Sequence, residues 1–502
     1  MLIGTSQVER FFVLTTIWAI RAITPISFLH ILLSVFWSSY RLGSFYPFTT
    51  YALLESGFYL FVYLPRKVHL QKPAVHPAPL SHAKRHELFA RCLSHLTDTG
   101  SFKRWFLDSS AEIRRENVIE WLKWGFFAGE TCAGEKCDKH DEEIAEYLEA
   151  LEHALGETFP PGYNPKVKSI RTTIDDVVIY HRPVVWYLIV CAVDMISAAI
   201  LHSFGFIHFA GSVHTFPPRL HTFFSSPSPA TQLSYWYKPA RNSKSATPFL
   251  FLHGIGIGVL PYLPLIISYS KTHPDAPIIV PELLSISGRI TRPPLSLHEF
   301  QSALEAIFQK HKVSQYNLAA HSYGTGLASI LIRSTSLPKP DSATLLDPIP
   351  ILLHLPSVAR NFLYREPQRA NEHEIYYFAC TDMGVAHALA RHFFWTETVL
   401  WKEDLDSLGK RVAIVLSGED IIVDSPAVWT YLTNQAPPSL KRIKPRPFVL
   451  PVPNPESFTP TVCEGGNVEA YYLGGLDHAQ MFLTRECWRG LIRIIDRVST
   501  KD

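Results

Sequence analysis

Tyr316-Asn317-Leu318-Ala319-Ala320-His321-Ser322-Tyr323-Gly324-Thr325-Gly326-Leu327-Ala328 is the stretch whose reading decides the fold. Its first part, Tyr316 to Ala320, reads as a buried strand, and Gly324 to Arg333 reads as a helix. A serine between a strand and a helix sits where a sharp turn pushes its hydroxyl clear of the backbone. That turn is crowded, so the residues two before and two after the serine must be small. Ala320 and Gly324 meet this requirement. Small residues on the helix, Gly326 and Ala328, suit close packing on a sheet. The helix also directs the positive end of its dipole at the serine.

The surrounding texture, from about Leu233 onward, alternates short apolar runs with helical patterns. Strands are expected at Leu233–Tyr237, Phe249–Leu252, Pro277–Val280, Ala343–Leu346, Arg411–Leu416 and Val468–Leu473. A helix-like stretch runs from Tyr262 to Tyr269. Ser296-Leu297-His298-Glu299 is a capping box that opens a helix reaching about Lys312. Strands alternating with helices imply a mostly parallel sheet covered on both faces. In such sheets ligands bind outside the carboxyl ends of the strands, so functional residues should follow strands directly.

A serine hydroxyl is a poor nucleophile near neutral pH and needs a base, which in turn needs an orienting acid. Downstream of Asp420 the chain contains one histidine, His478, in Gly474-Gly475-Leu476-Asp477-His478 after the last expected strand. It is the expected base. The strand Val412 to Leu416 ends in Ser417-Gly418-Glu419-Asp420. Asp420 is the preferred acid, with Glu419 and Asp347 (in Leu345-Leu346-Asp347-Pro348) as alternatives that sequence does not rank. The developing oxyanion needs fixed N–H donors. Phe251-Leu252-His253-Gly254-Ile255-Gly256-Ile257-Gly258 follows a strong apolar strand, and its glycines permit close approach to a substrate. Ile255 N–H and Tyr323 N–H are the expected donors, with His253, Gly254 and Gly256 as the supporting loop. The glycine spacing is not that of a dinucleotide fingerprint.

Taken together, residues 233–502 resemble the α/β-hydrolase superfamily, with the His-Gly loop, nucleophile turn, acid turn and final histidine in the order serine, acid, histidine. Ala320 stands where glycine is commoner. A serine rather than an aspartate at the turn sets the chain apart from the epoxide hydrolase and haloalkane dehalogenase branches. The resemblance implies a Ser322–His478–Asp420 triad in an esterase or lipase-like enzyme. About 65 residues separate the strand at Ala343 from that at Arg411, too many for a simple connection. By the resemblance this insertion, about 350–408, is a helical cap. It is aromatic at Phe362, Tyr364, Tyr376, Tyr377, Phe378, Phe393, Phe394, Trp395 and Trp401. Those rings suit either an apolar acyl group or the core of a small helical layer.

Upstream, residues 1–65 contain five charges, Glu9, Arg10, Arg21, Arg41 and Glu55. Phe11 to Trp37 and Tyr46 to Leu64 are each near the length a helix needs to cross a bilayer. The internal charges Arg21 and Glu55 count against crossing. The weak basic start and the lack of an A-x-A site do not fit a cleaved signal peptide. Residues 1–65 are therefore expected to attach the protein to a membrane. Basic residues from Arg66 to Arg85 then favour a cytosol-facing remainder. Val184 to Leu201, with Asp194 as its only charge, is expected to be a buried or interfacial helix. Residues 66–230 read as helical, notably Trp105–Phe127 and Glu142–Leu155, and end in a Pro- and Ser-rich connector. Gln435 to Pro460 reads as a surface loop. The expected division is thus 1–65, 66–230 and 231–502.

Composition bounds the rest. Charged residues are 18% of 502, below the ~25% of typical soluble domains, and aromatics are 13%. This excludes a disordered chain and fits membrane contact. A net charge of +2 with no long basic run excludes the footprint of a nucleic-acid binder. Seven scattered cysteines make a poor disulfide framework. Cys132 and Cys137 with His140 lack a second pair at zinc-finger spacing, so no metal or other cofactor is expected. The partners expected are an apolar, lipid-like ester and membrane lipids. The same triad fits an acyltransferase, and the same fold without turnover fits a binding or scaffold protein. Oligomeric state is not legible.

Overall fold

The computed structural model describes residues 3–36, 46–96, 99–107, 111–127, 140–242, 246–438, 447–449 and 452–500. Cys132, Cys137, Trp37 and part of the Pro-rich stretch after Gln435 lie outside them. Ten strands form one sheet: β1 (Ile207–Ala210), β2 (Ser226–Pro227), β3 (Tyr235–Lys238), β4 (Phe249–Leu252), β5 (Ile278–Pro281), β6 (Asn317–His321), β7 (Ser342–Leu346), β8 (Arg411–Ser417), β9 (Thr461–Val462) and β10 (Val468–Leu473). Their order is β2-β1-β3-β5-β4-β6-β7-β8-β10-β9. From β5 to β10 neighbours run parallel, whereas β3 is antiparallel to both β5 and β1.

The central strands are continuous apolar runs because both faces of the sheet are covered. Alternate side chains serve opposite cores. Leu250 and Leu252 of β4 and Ile414 and Leu416 of β8 pack on one face with helices Leu297–His311 and Tyr323–Arg333. Phe249, Phe251, Ala413 and Val415 pack on the other with Leu263–Thr272 and Arg485–Ser499. The capping box is present: Ser296 Oγ accepts from Glu299 N–H, and the Glu299 carboxylate accepts from Ser296 N–H at 2.8 Å.

Three readings of the first half are corrected. β1 lies in a segment read as helical, and it pairs with β3. β2 lies in the segment read as connector. Trp105–Phe127 is not one helix: Arg115–Phe126 is helical, and so is Thr99–Lys103 before it. Around Trp105 the backbone bonds elsewhere, with Leu107 N–H donating to Lys168 O and Ile170 N–H to Trp105 O. These bonds replace the i→i−4 ladder a continuous helix requires. A further strand, β9, begins directly after the stretch read as surface loop. The insertion after β7 is built of short helical turns, including Ala370–Ile375, Met383–Arg391 and Trp395–Thr398. Its Ala359, Tyr364 and Trp395 pack on the core formed by Phe102, Trp105, Trp121 and Trp124. Trp395 Nε1–H also donates to Gly125 O at 3.2 Å.

Helices Gln7–Phe36 and Val184–Ser203 are both long and apolar enough to cross a membrane. Buried polar joints fasten them to the molecule. Asp194 faces Arg289 at 2.9 Å and Arg219 at 3.3 Å, and both arginines are buried in the sheet domain. Glu55, the charge inside the second apolar run, is fully buried and joins the other two helices. It accepts from Thr24 Oγ1–H at 2.6 Å and from Val184 N–H at 2.7 Å. Removing one partner of such a pair strands a buried charge. Asp194→Ala should therefore destabilise the protein by about 3–5 kcal/mol, read as a fall in denaturant midpoint. A loss under about 1 kcal/mol would show that the joint is not structural.

Candidate active site

Ser322 begins the helix that follows β6 and holds φ 50°, ψ −121°. A non-glycine residue there costs about 1–3 kcal/mol and persists only when its surroundings enforce it. Enforcement is visible. Ser322 N–H donates to Leu346 O at 3.0 Å, and Thr325 Oγ1–H donates to Ser322 O. Gly324 is required by space: a Cβ there would lie 2.4 Å from Leu252 O of β4. The turn can form only because this helix start lies directly on the neighbouring strand.

The structure brings together three of the residues singled out from sequence. His478 Nε2 lies 2.9 Å from Ser322 Oγ, and His478 Nδ1 lies 2.7 Å from Asp420 Oδ2. With Nδ1 protonated toward the carboxylate, Nε2 is the free base facing the hydroxyl. Asp420 Oδ1 accepts from Ile422 N–H at 2.7 Å and Val423 N–H at 2.9 Å, which fixes the carboxylate. Of the alternatives, Glu419 is exposed on the same turn. Asp347 is fully buried, and its Oδ2 lies 3.8 Å from His478 Nδ1. Asp420 is thus the hydrogen-bonded acid.

Burial alone disfavours a charged His478, yet the carboxylates of Asp420 and Asp347 outweigh it and raise the imidazole above its ordinary value. Burial pushes the Asp420 carboxyl up to about 6, against the pull of His478, and Asp347 and Asp477 push it the same way. The acid limb of any activity belongs to this pair rather than to one residue.

The Gly-rich loop after β4 passes beside the serine. A Cβ on Gly254 would lie 2.9 Å from Ser322 Cβ. Gly254 N–H donates to Tyr262 Oη at 3.0 Å, and Gly256 N–H donates to Ile286 O. Between them, Ile255 N–H has no protein acceptor among the described residues, and neither does Tyr323 N–H. Both residues border the serine's cavity. His253 holds the loop: its Nε2 accepts from Leu283 N–H at 2.9 Å, so its Nδ1–H donates to Gly254 O at 2.8 Å. Burial keeps it neutral by lowering its affinity for a proton.

Ser322 opens into a cleft with an almost wholly apolar lining. Phe362, Phe393 and Trp395 of the insertion form part of it. Trp105, Trp124 and Thr172 come from the helical region, where no site residue was expected. Nothing in the local sequence marks these as wall residues, because their pattern is that of an ordinary helical core. Asp477 was also missed. It accepts from Ile421 N–H at 3.0 Å and from Asn371 Nδ2–H at 2.7 Å, tying the histidine loop to the acid turn and the insertion.

His208, His221 and Glu282 also bring ligand-type atoms together. Arg219 donates to both Glu282 and His221 Nε2. Its guanidinium would repel a cation, so the cluster reads as a buried ion-pair joint.

No protein-family model and no curated protein matches the chain. Among solved structures it is similar to a carboxylesterase of the ammonia-oxidizing thaumarchaeon Nitrososphaera gargenis, at 14% identity and TM-score 0.35, over 53% of this chain and 96% of that one. Naproxen esterase from Bacillus subtilis matches at 11% identity and TM-score 0.36, over 62% and 96%. A bacterial membrane phospholipase A matches at 12% identity and TM-score 0.36, over 63% and 93%. Likenesses this distant carry no argument by themselves. The sheet order and the strained serine between β6 and its helix do. So do an acid after β8 and a histidine after β10. On those features, the chain has an α/β-hydrolase fold, with a helical insertion after β7 and helices preceding the sheet.

Proposed function

We propose that the protein is a membrane-associated serine hydrolase that cleaves apolar carboxylic esters. The observation that carries this reading is the unbroken Asp420–His478–Ser322 chain, with bonds of 2.7 and 2.9 Å, opening into an apolar cavity. Ser322 Oγ attacks the ester carbonyl carbon while His478 Nε2 takes its proton. The imidazolium is stabilised through Nδ1–H by Asp420. Ile255 N–H and Tyr323 N–H donate to the oxyanion. The tetrahedral intermediate collapses, the C–O bond breaks, and His478 returns the proton to the leaving alcohol. Water then repeats the sequence on the acyl-serine and releases the acid. The apolar walls select the substrate: a carboxylate or sugar placed there would lose its hydration without replacement.

Membrane contact is supported by the outward faces of the docked helices. Phe11 and Trp18 on the first helix are 74% and 66% exposed. Leu188 and Ile196 on Val184–Ser203 are more than half exposed, and Phe223 and Phe224 on the adjoining turn are 83% and 87% exposed. Apolar surface of this extent marks an interaction face. Polar joints hold the inner faces to the protein, so the helices are read as lying in one leaflet with the hydrolase domain outside it.

A fluorophosphonate probe should label the solubilised wild type and leave Ser322→Ala unlabelled. Either Ser322→Ala or His478→Ala should lower kcat by roughly 10⁶-fold with the fold intact. Equal labelling of Ser322→Ala would place the nucleophile elsewhere.

The pH dependence follows from the raised imidazole. His478 must be neutral to accept the serine proton, so kcat/KM should fall as pH drops through a value above 6.5. Asp420→Asn removes the charge that opposes burial. Its acid limb should move to lower pH while kcat falls by roughly 10⁴-fold. An unmoved limb would remove His478 from proton transfer.

Replacing Phe223 and Phe224 together by Asp should weaken co-sedimentation with phosphatidylcholine vesicles by about tenfold or more, with esterase activity on a soluble short-chain ester retained. Unchanged co-sedimentation would exclude this face from membrane contact.

A further inference from the structure

The proposed mechanism uses one of two carboxylates beside His478 Nδ1, the one at 2.7 Å, and leaves Asp347 at 3.8 Å without a role. Asp347 is fully buried, directly after β7, at φ 43°. Its Oδ1 accepts from Ser417 N–H at 2.8 Å, and its Oδ2 accepts from Ser417 Oγ–H and Ala479 N–H, each at 3.0 Å. It thus links the end of β8 to the histidine loop. Burial disfavours its charge, but His321, His478 and the Ala479 N–H together outweigh burial and hold the carboxyl below its ordinary value.

A buried anion requires a partner. Among the described residues no Lys or Arg pairs with Asp347. His321 Nε2 lies 3.7 Å away, but that ring is neutral. Tyr262 Oη accepts from Gly254 N–H and lies 2.9 Å from His321 Nδ1; with the hydroxyl proton directed to Nδ1, Nε2 carries the ring proton and faces Asp347. Burial lowers His321 to about 4, so it contributes a dipole and no charge. The cation that can face Asp347 is the imidazolium of His478, which forms during turnover and, as pH falls, in the resting enzyme. The other titratable groups around that ring are Asp420, His321 and Asp477. Asp477 is committed to Ile421 N–H and Asn371.

We propose that Asp347 is a positioning residue that acts through His478, holding its loop and supplying a second negative charge that favours the imidazolium and substitutes in part for Asp420 when that is removed. The proposal rests on the serine-hydrolase reading above. An opposite charge within about 4–6 Å raises a histidine by about one unit or more.

The test is a double-mutant cycle with pH profiles, on full-length protein whose fold is checked by melting. Asp347→Asn should lower kcat/KM roughly 10- to 100-fold and move the acid limb down by about one pH unit. Its fold-cost should be larger in the Asp420→Asn background than in wild type, because Asp347 then carries the whole charge. Equal costs in both backgrounds with an unmoved limb would overturn the proposal, since a purely structural residue would behave in that way. If Asp347→Asn does not fold, Ser417→Ala keeps the carboxylate and removes its hydroxyl donor. The less neutralised charge should then move the limb upward, and an unmoved limb again overturns the proposal. Fluorophosphonate labelling of the wild type separates the two readings. A folded, unlabelled wild type overturns both, whereas normal labelling with unshifted profiles overturns only the role of Asp347.

Discussion

The fit of one turn against one strand organises the site. Ser322 stands at a positive φ because its helix starts hard against β4, where a Cβ on Gly324 would lie 2.4 Å from Leu252 O. Any side chain at 324 would push the helix off the sheet, and the serine would lose its raised position. The same closeness brings the Gly254 loop beside Ser322, so the expected N–H donors and the nucleophile are set by one packing event. Helix Tyr323–Arg333 is buried along nearly its whole length, which prevents relaxation of the strained residue.

The second constraint is electrostatic. Three aspartates surround a buried imidazole, and like charges so near one another repel. Each is stabilised by donors of its own. Asp420 takes the Ile422 and Val423 amides, Asp347 takes Ser417 and Ala479, and Asp477 takes Ile421 and Asn371. The same bonds stitch the loops after β7, β8 and β10 together. Geometry and charge are therefore one device: the groups that fix the histidine's position also set its basicity.

Much of this was legible in the residues. β4 and β10 fall where the apolar runs place them, and other central strands shift by a residue or two, within the fraying of strand ends. The turn around Ser322, the capping box at Ser296 and a lone downstream His478 all carry local physical signatures. Asp420 and Asp347 could not be ranked, because both follow a buried strand. What separates them is about an ångström of loop path, which depends on Ser417 and Ala479 far along the chain. β1 was missed because Ile207-His208-Phe209-Ala210 is too short to show a strand period and follows a long helix. The walls from Trp105 and Trp124 were missed for a different reason: a residue facing a cavity and one facing a core have the same sequence pattern.

Glu55 and Asp194 show how the same ambiguity extends to the membrane region. In sequence each is a charge inside an apolar helix, and it counts against a bilayer crossing by its insertion cost. In the structure each is a buried joint with named donors, on the inner face of a helix whose outer face is apolar. A spanning helix would have to expose such a joint to lipid or carry its partners with it. Thr24 lies on the first helix, His181 and Val184 lie just before and at the start of Val184–Ser203, and Arg289 belongs to the loop after β5. Moving them together into hydrocarbon would dismantle the fold around them. The arrangement that keeps every joint intact holds the helices against the domain with apolar residues such as Phe11, Trp18, Leu188 and Ile196 outward.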